Sequence, residues 1–141
     1  MADAPRLPPP TPMGLTPYLS IRDGRGEEAV TFYAKAFGGH ELFRTVADDG
    51  KRLLHCRVQI NGAVLMFSDD FPEMRGGGEA PAPAGITLHL QVDDADAWAA
   101  RAADAGAEIV MPIQDMFWGD RYGHLRDPFG YLWSLGSAKQ G

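Results

Sequence analysis

Two short runs hold the residues best suited to chemistry. The first is Thr87-Leu88-His89-Leu90-Gln91. Strand alternation puts Thr87, His89 and Gln91 on one face and Leu88 and Leu90 on the other. A histidine on a polar strand face can bind a ligand or move protons near neutral pH. It can equally serve as a hydrogen-bonded wall. The second run is Phe117-Trp118-Gly119-Asp120-Arg121-Tyr122. Its aromatics form a stacking wall, Gly119 allows close backbone approach, and Arg121 offers a fork for carboxylate or phosphate. The other reading is an Asp120–Arg121 ion pair with Trp118 packed in the core.

The remaining candidates have plainer explanations. His55 and Cys56 are neighbours on an apolar run, and adjacent strand residues point to opposite faces, so they do not share a proton easily. Cys56 is the only cysteine, which excludes an internal disulfide and points to a packed thiol. His40 and His124 read as surface residues. Asp69, Asp70 and Glu73 read as a solvated strand end. Gly76-Gly77-Gly78 lacks the Lys-Ser/Thr of a phosphate loop. Arg126-Asp127-Pro128-Phe129-Gly130 reads as a tight turn, in which proline fixes φ and aspartate caps.

The elements that position these residues recur in order. A Pro-rich stretch, residues 1–13, reads as a disordered leader. Strand signals follow at 15–21, a helix at 27–37 ending on Gly38-Gly39, and strands at 40–46, 52–60 and 63–68. Asn61-Gly62 between the last two is a strong hairpin signal. Residues 71–84, rich in glycine and proline, read as a linker or flexible flap. A strand then spans 86–92, Asp93-Asp94 can cap a helix over 95–105, and strands are expected at 108–111, within 117–126, and at 131–136. The result is an α+β chain of two βαβββ modules, about 14–70 and about 85–137, followed by a tail at 138–141. Two such modules can pair into a curled mixed sheet around a central cavity.

Bulk properties exclude several classes. A 141-residue chain with 45% hydrophobic and 23% charged residues can bury one core without staples. The net charge of −6, from 13 basic and 19 acidic residues, argues against a nucleic-acid partner. No run approaches the ~18 apolar residues of a membrane span. The leader has neither a basic n-region nor an apolar h-region, so a cytoplasmic protein is expected.

Several segments resemble the vicinal-oxygen-chelate superfamily of glyoxalase I, extradiol dioxygenases, fosfomycin-resistance enzymes and bleomycin-binding proteins. They are Thr16-Pro17-Tyr18-Leu19, Ala29-Val30-Thr31-Phe32-Tyr33 with Ala36-Phe37-Gly38, Val64 to Asp69, and Phe117 to Arg121 with Arg126 to Gly130. Together they look like its PhnB-like branch. The resemblance implies the glyoxalase/bleomycin-resistance fold and a homodimer. Metal enzymes of the superfamily hold one divalent ion with His or Gln, Glu, His and Glu on the first and last strands of each module. Carried over, those positions fall at Thr16, Met66, Thr87 and Ser134, which are poor ligands, so no metal or other cofactor is expected. The reading that follows is a small-molecule-binding protein, with Tyr18, Met66, His89, Gln91, Phe117, Trp118 and Arg121 contacting an aromatic or drug-like ligand. The alternative is a glyoxalase-like lyase or isomerase using a divalent metal or an atypical site.

Overall fold

The computed structural model describes residues 9–139, so most of the expected leader and the last two residues lie outside the described part. Eleven elements follow in order: β1 (Tyr18–Ile21), α1 (Gly26–Phe37), β2 (His40–Val46), β3 (Leu53–Ile60), β4 (Ala63–Asp69), a 3₁₀ turn (Pro72–Met74), β5 (Thr87–Gln91), α2 (Ala95–Ala105), β6 (Glu108–Asp115), β7 (Asp120–Arg126) and β8 (Leu132–Ala138). The βαβββ order therefore occurs twice. The eight strands form two four-stranded sheets, ordered β1-β4-β3-β2 and β5-β8-β7-β6, and hydrogen bonding does not join them into one. In each sheet the first and last strands of the module run parallel, and the other pairs are antiparallel.

Local chemistry explains most boundaries. Asn61 and Gly62 both take positive φ, at 51° and 81°, which matches the twist a two-residue hairpin needs between β3 and β4. The Asp94 side chain accepts from the Ala97 N–H and caps α2. β6 runs to Asp115, four residues beyond the expected strand, and continues through Pro112. It is an edge strand whose register slips between Met111 and Gln114, so the missing proline N–H breaks no essential ladder bond. β1 starts at Tyr18 rather than at residue 15, because Thr16 and Pro17 precede the ladder with β4.

Asp69 is not a solvated strand end. It is 2% exposed, its Oδ1 accepts from the Gly26 N–H at 2.7 Å, and its Oδ2 accepts from the Leu53 N–H at 2.6 Å. α1 has no side-chain cap of its own, so a carboxylate from β4 does that work. Asp70 and Glu73 do sit at the surface, paired with Arg75 and Arg52. In the linker, Arg75 also donates to the Gly77 and Gly78 carbonyls.

One core serves both modules. Tyr33 of α1 packs on Phe67 of β4 at 5.9 Å between ring centroids and on Trp133 of β8 at 5.7 Å. Phe37 of α1 lies 4.7 Å from Trp133 and stacks on Trp98 of α2. The Arg101 guanidinium of α2 donates to the Lys35 and Ala34 carbonyls at the end of α1.

Asp127 ties this core together. Its Oδ2 accepts from the Tyr33 hydroxyl at 2.7 Å and the Trp133 indole N–H at 2.8 Å, and its Oδ1 accepts from the Phe129 and Tyr131 N–H groups. Burial pushes the Asp127 carboxyl above the usual range while the four donors oppose that shift. Burial and the facing Asp127 raise the Tyr33 phenol well above its ordinary value, which keeps it a donor. Asp127→Ala strands four buried donors and is expected to cost at least about 3 kcal/mol in urea unfolding. Tyr33→Phe, which removes one donor and keeps the ring, is expected to cost about 1–2 kcal/mol. Equal losses in the two variants would contradict the shared-acceptor account.

Candidate functional site

Each sheet has one face buried under the helices and one open face. In module one Leu19, Ile21, Cys56, Val58, Leu65 and Phe67 point to the core. The alternating residues Tyr18, Ser20, His55, Arg57, Met66 and Ser68 occupy the open face. In module two Leu88, Leu90, Leu125, Trp133 and Leu135 are buried, and Thr87, His89, Gln91, Tyr122, His124, Ser134 and Gly136 lie on the open face.

His89 sits at the centre of the second open face, directly opposite Ser134 in the β5–β8 register. Its Nε2 lies 2.9 Å from Gln91 Oε1, an acceptor, so Nε2–H donates there. Nδ1 is then left to accept the Ser134 hydroxyl at 2.7 Å. The ring stacks against Tyr122 at 5.9 Å, and the Tyr122 hydroxyl lies 3.0 Å from His124 Nε2. Trp118, in the β6–β7 turn, meets the edge of Tyr122 at 5.5 Å, and Phe117 meets Trp118 at 5.0 Å. Trp118 is 50% exposed and Phe117 97% exposed, so neither packs in the core. Gly136 makes room for this layer: a Cβ there would lie 2.8 Å from Gln91 Oε1 and 3.0 Å from His89 Cε1.

A second cluster occupies the open face of module one. Arg57 Nε donates to His55 Nε2 at 3.0 Å, so neutral His55 carries its proton on Nδ1 and donates it to the Tyr18 hydroxyl at 2.9 Å. The Tyr18 and His55 rings stack at 5.6 Å. Met66 stands opposite both Tyr18 and Arg57 in the sheet register.

Arg121 stands apart from both clusters. It pairs with Ser137 on the helix-facing side of β7, and its fork is committed to Asp96 of α2 at 2.7 and 2.9 Å and to Asp115 at 2.8 Å. It forms a structural ion pair, with Asp96 and Asp115 in place of Asp120. The structure thus brings His89 and Gln91 together, chains Phe117 and Trp118 to them through Tyr122, and sets Tyr18 and Met66 on the other sheet. Arg57, Tyr122, His124 and Ser134 complete the two clusters. The i, i+2 alternation of Tyr122 with His124 in the sequence was a usable signal for that pair, whereas Arg57 sits in an apolar run that reads as core. Cys56 is fully buried beside Glu41, and burial pushes its thiol up to about 12, which makes it unreactive.

The residues do not fit the superfamily's divalent ion. Two ligands of one ion on neighbouring strands must stand opposite each other, and the register pairs Tyr18 with Met66 and His89 with Ser134. Thr16 precedes β1, and Thr87 faces Leu132, so both first-strand positions move two residues along. A phenol, a thioether, an imidazole with both nitrogens hydrogen-bonded and a hydroxyl are a poor donor set. Among the described residues no three His, Cys, Asp or Glu side chains converge.

Paired βαβββ modules, each with a polar open face, define the glyoxalase/bleomycin-resistance architecture. The sequence model of the Glyoxalase/Bleomycin resistance protein/Dioxygenase superfamily matches residues 16–135, and the chain belongs to that superfamily. An uncharacterized protein of Mycobacterium tuberculosis is 46% identical over 126 residues, covering 86% of this chain and 72% of that protein. The YjdN protein of Escherichia coli is 29% identical over 150 residues, covering 91% and 97%. A crystal structure of a Pseudomonas aeruginosa protein superposes with a TM-score of 0.73 at 26% identity, covering 92% of this chain and all of that one. A PhnB protein from Bacillus cereus shares the fold at 21% identity, with a TM-score of 0.68 and coverage of 88% and 98%.

Burial and the nearby Arg57 charge hold the His55 imidazole below its ordinary 6.5. A histidine with a lowered folded pKa binds fewer protons folded than unfolded. Stability is therefore full above pH 6.5 and falls as the pH drops toward the folded value. His55→Asn is expected to flatten that part of the stability–pH curve, and NMR titration of His55 should give a midpoint below 6.5. A midpoint at or above that value would show that burial and Arg57 together do not depress the ring.

Proposed function

We propose that this protein binds a small apolar or aromatic molecule without a resident divalent metal, using the surface between its two sheets. The supporting observation is a groove of about 320 Å³ between the start of β4 and β5. Ile60, Ala63, Val64, Leu65, Ile86 and Leu88 make it apolar, while Thr87 and His89 supply its polar groups. A concave, mostly apolar site with few polar groups, of a few hundred Å³, is the usual form of a small-molecule site. Tyr18 directly follows the groove residue Pro17, and Met66 lies two residues beyond Val64 on the same open face. His89 and Gln91 set polar specificity, and Trp118 and Phe117 add stacking surface. A larger hollow of about 370 Å³ beside Arg22 is a poorer candidate, because its Arg52 and Asp70 are engaged in ion pairs.

The competing reading is a glyoxalase-like lyase or isomerase. That chemistry draws on a divalent ion as Lewis acid, and the donor set Tyr18, Met66, His89 and Ser134 does not favour it. Dialysis against Zn²⁺, Ni²⁺, Mn²⁺ or Fe²⁺ followed by elemental analysis is expected to leave far less than one ion per chain. A thermal-shift screen of aromatic compounds is expected to raise the melting temperature, since ligand at 100 times its Kd adds about 2.7 kcal/mol. Val64→Arg, which fills the groove, is expected to abolish the shift. One tightly held ion per chain, with no aromatic compound shifting the transition, would overturn the proposal.

A homodimer is the assembly we propose. Leu15 and Phe117 are almost fully exposed, and Ile109 and Val110 on the edge strand β6 are each at least 40% exposed. A second copy of the chain would remove exposed apolar side chains of this kind from water. Light scattering after gel filtration is expected to give about twice the 15.3 kDa chain mass, and Leu15→Asp with Phe117→Asp is expected to shift the mass toward one chain. A wild-type mass of one chain would refute the dimer.

A further inference from the structure

Among the described residues Arg57 is the one buried cation, 8% exposed on the open face of β3. No described carboxylate pairs with it. Its Nε donates to His55 Nε2 at 3.0 Å, one Nη donates to the Thr11 hydroxyl at 3.0 Å, and the other donates to the Pro9 carbonyl. All three acceptors are neutral. A buried charge is costly unless an opposite charge answers it. The planar Nη pair of a guanidinium matches a carboxylate or phosphate in a two-bond fork. Here that fork is spent on a stretch with neither helix nor strand, in which residues 10–13 are all exposed.

The neighbours of Arg57 suit an anion as well. His55 is held neutral, with its Nδ1–H directed at Tyr18, so the half-exposed Tyr18 keeps its own O–H available to donate. Met66 opposite offers no competing acceptor of strength. The present bonds to Pro9 and Thr11 have only an ionised donor, whereas an oxyanion adds the opposite charge and two parallel bonds that match the fork. An oxyanion therefore outcompetes a carbonyl and a hydroxyl for the same two Nη groups, and the displaced segment gives up no ladder bonds.

We propose that the open face of module one is an oxyanion site, in which Arg57 takes the carboxylate or phosphate group of a ligand in exchange for Pro9 and Thr11. The site does not depend on the apolar groove: a ligand can bind Arg57 with the groove empty.

The test is calorimetric titration of the full chain with inorganic phosphate and, separately, with benzoate. Saturable one-to-one binding of either is expected; phosphate preference assigns a phosphate group and benzoate preference a carboxylate. Thr11→Ala removes one competing acceptor and is expected to tighten binding roughly fivefold, the equivalent of one ordinary hydrogen bond. Arg57→Lys keeps the charge and loses the fork, and is expected to weaken binding at least tenfold with near-UV circular dichroism unchanged. Absence of saturable binding by both anions would overturn the proposal. Equal affinity in Arg57→Lys would overturn the fork, and equal affinity in Thr11→Ala would overturn the exchange with the N-terminal segment.

Discussion

The acceptance of two side-chain donors by one buried carboxylate holds the two modules in register. Tyr33 belongs to the first helix, Trp133 belongs to the last strand, and Asp127 Oδ2 receives a hydrogen bond from each. The other oxygen closes the turn that leads into β8. A polar group this deeply buried is tolerable only when fully satisfied, and here the satisfaction comes from both halves of the chain. The same residue therefore shapes a local turn and joins distant elements. Asp69 plays a related part within module one, where it replaces the missing cap of α1 and receives the first N–H of β3.

With the helix faces locked by these carboxylates, the open faces are left to differ. Module two presents an imidazole held between an amide and a hydroxyl, under an aromatic chain that runs out to Phe117. Module one presents a guanidinium, an imidazole and a phenol in series. Duplicated architecture thus carries two unlike surfaces. Neither places ionisable ligands opposite one another as a shared divalent ion requires. The first offers fixed positive charge, and the second offers stacking and neutral hydrogen bonds.

The apolar groove where the start of β4 approaches β5 adds a third environment. Asn61 of the β3–β4 turn donates to the Gln91 carbonyl and keeps the two sheets near each other there. In the function we propose, the groove takes the apolar body of a ligand, and Arg57 takes an oxyanion. The superfamily fold supports such variation because the helix faces carry the stability while the open faces are free to change.

The sequence by itself determined the repeated βαβββ order, the Asn61-Gly62 hairpin, the Asp94 cap and the alternation that puts His89 and Gln91 on one face. These depend on near neighbours along the chain, whose turn chemistry and period-two pattern are local. It also carried the poor metal-binding character of the residues, which needs only residue types. The tertiary structure alone decided the register that moves the first-strand positions from Thr16 and Thr87 to Tyr18 and His89. It also decided that Arg121 serves Asp96 and Asp115, that Asp69 is buried, and that Arg57 faces an N-terminal segment. Each of these depends on which strand or helix lies alongside, often dozens of residues away, and a two-residue slip preserves every local pattern while exchanging every partner.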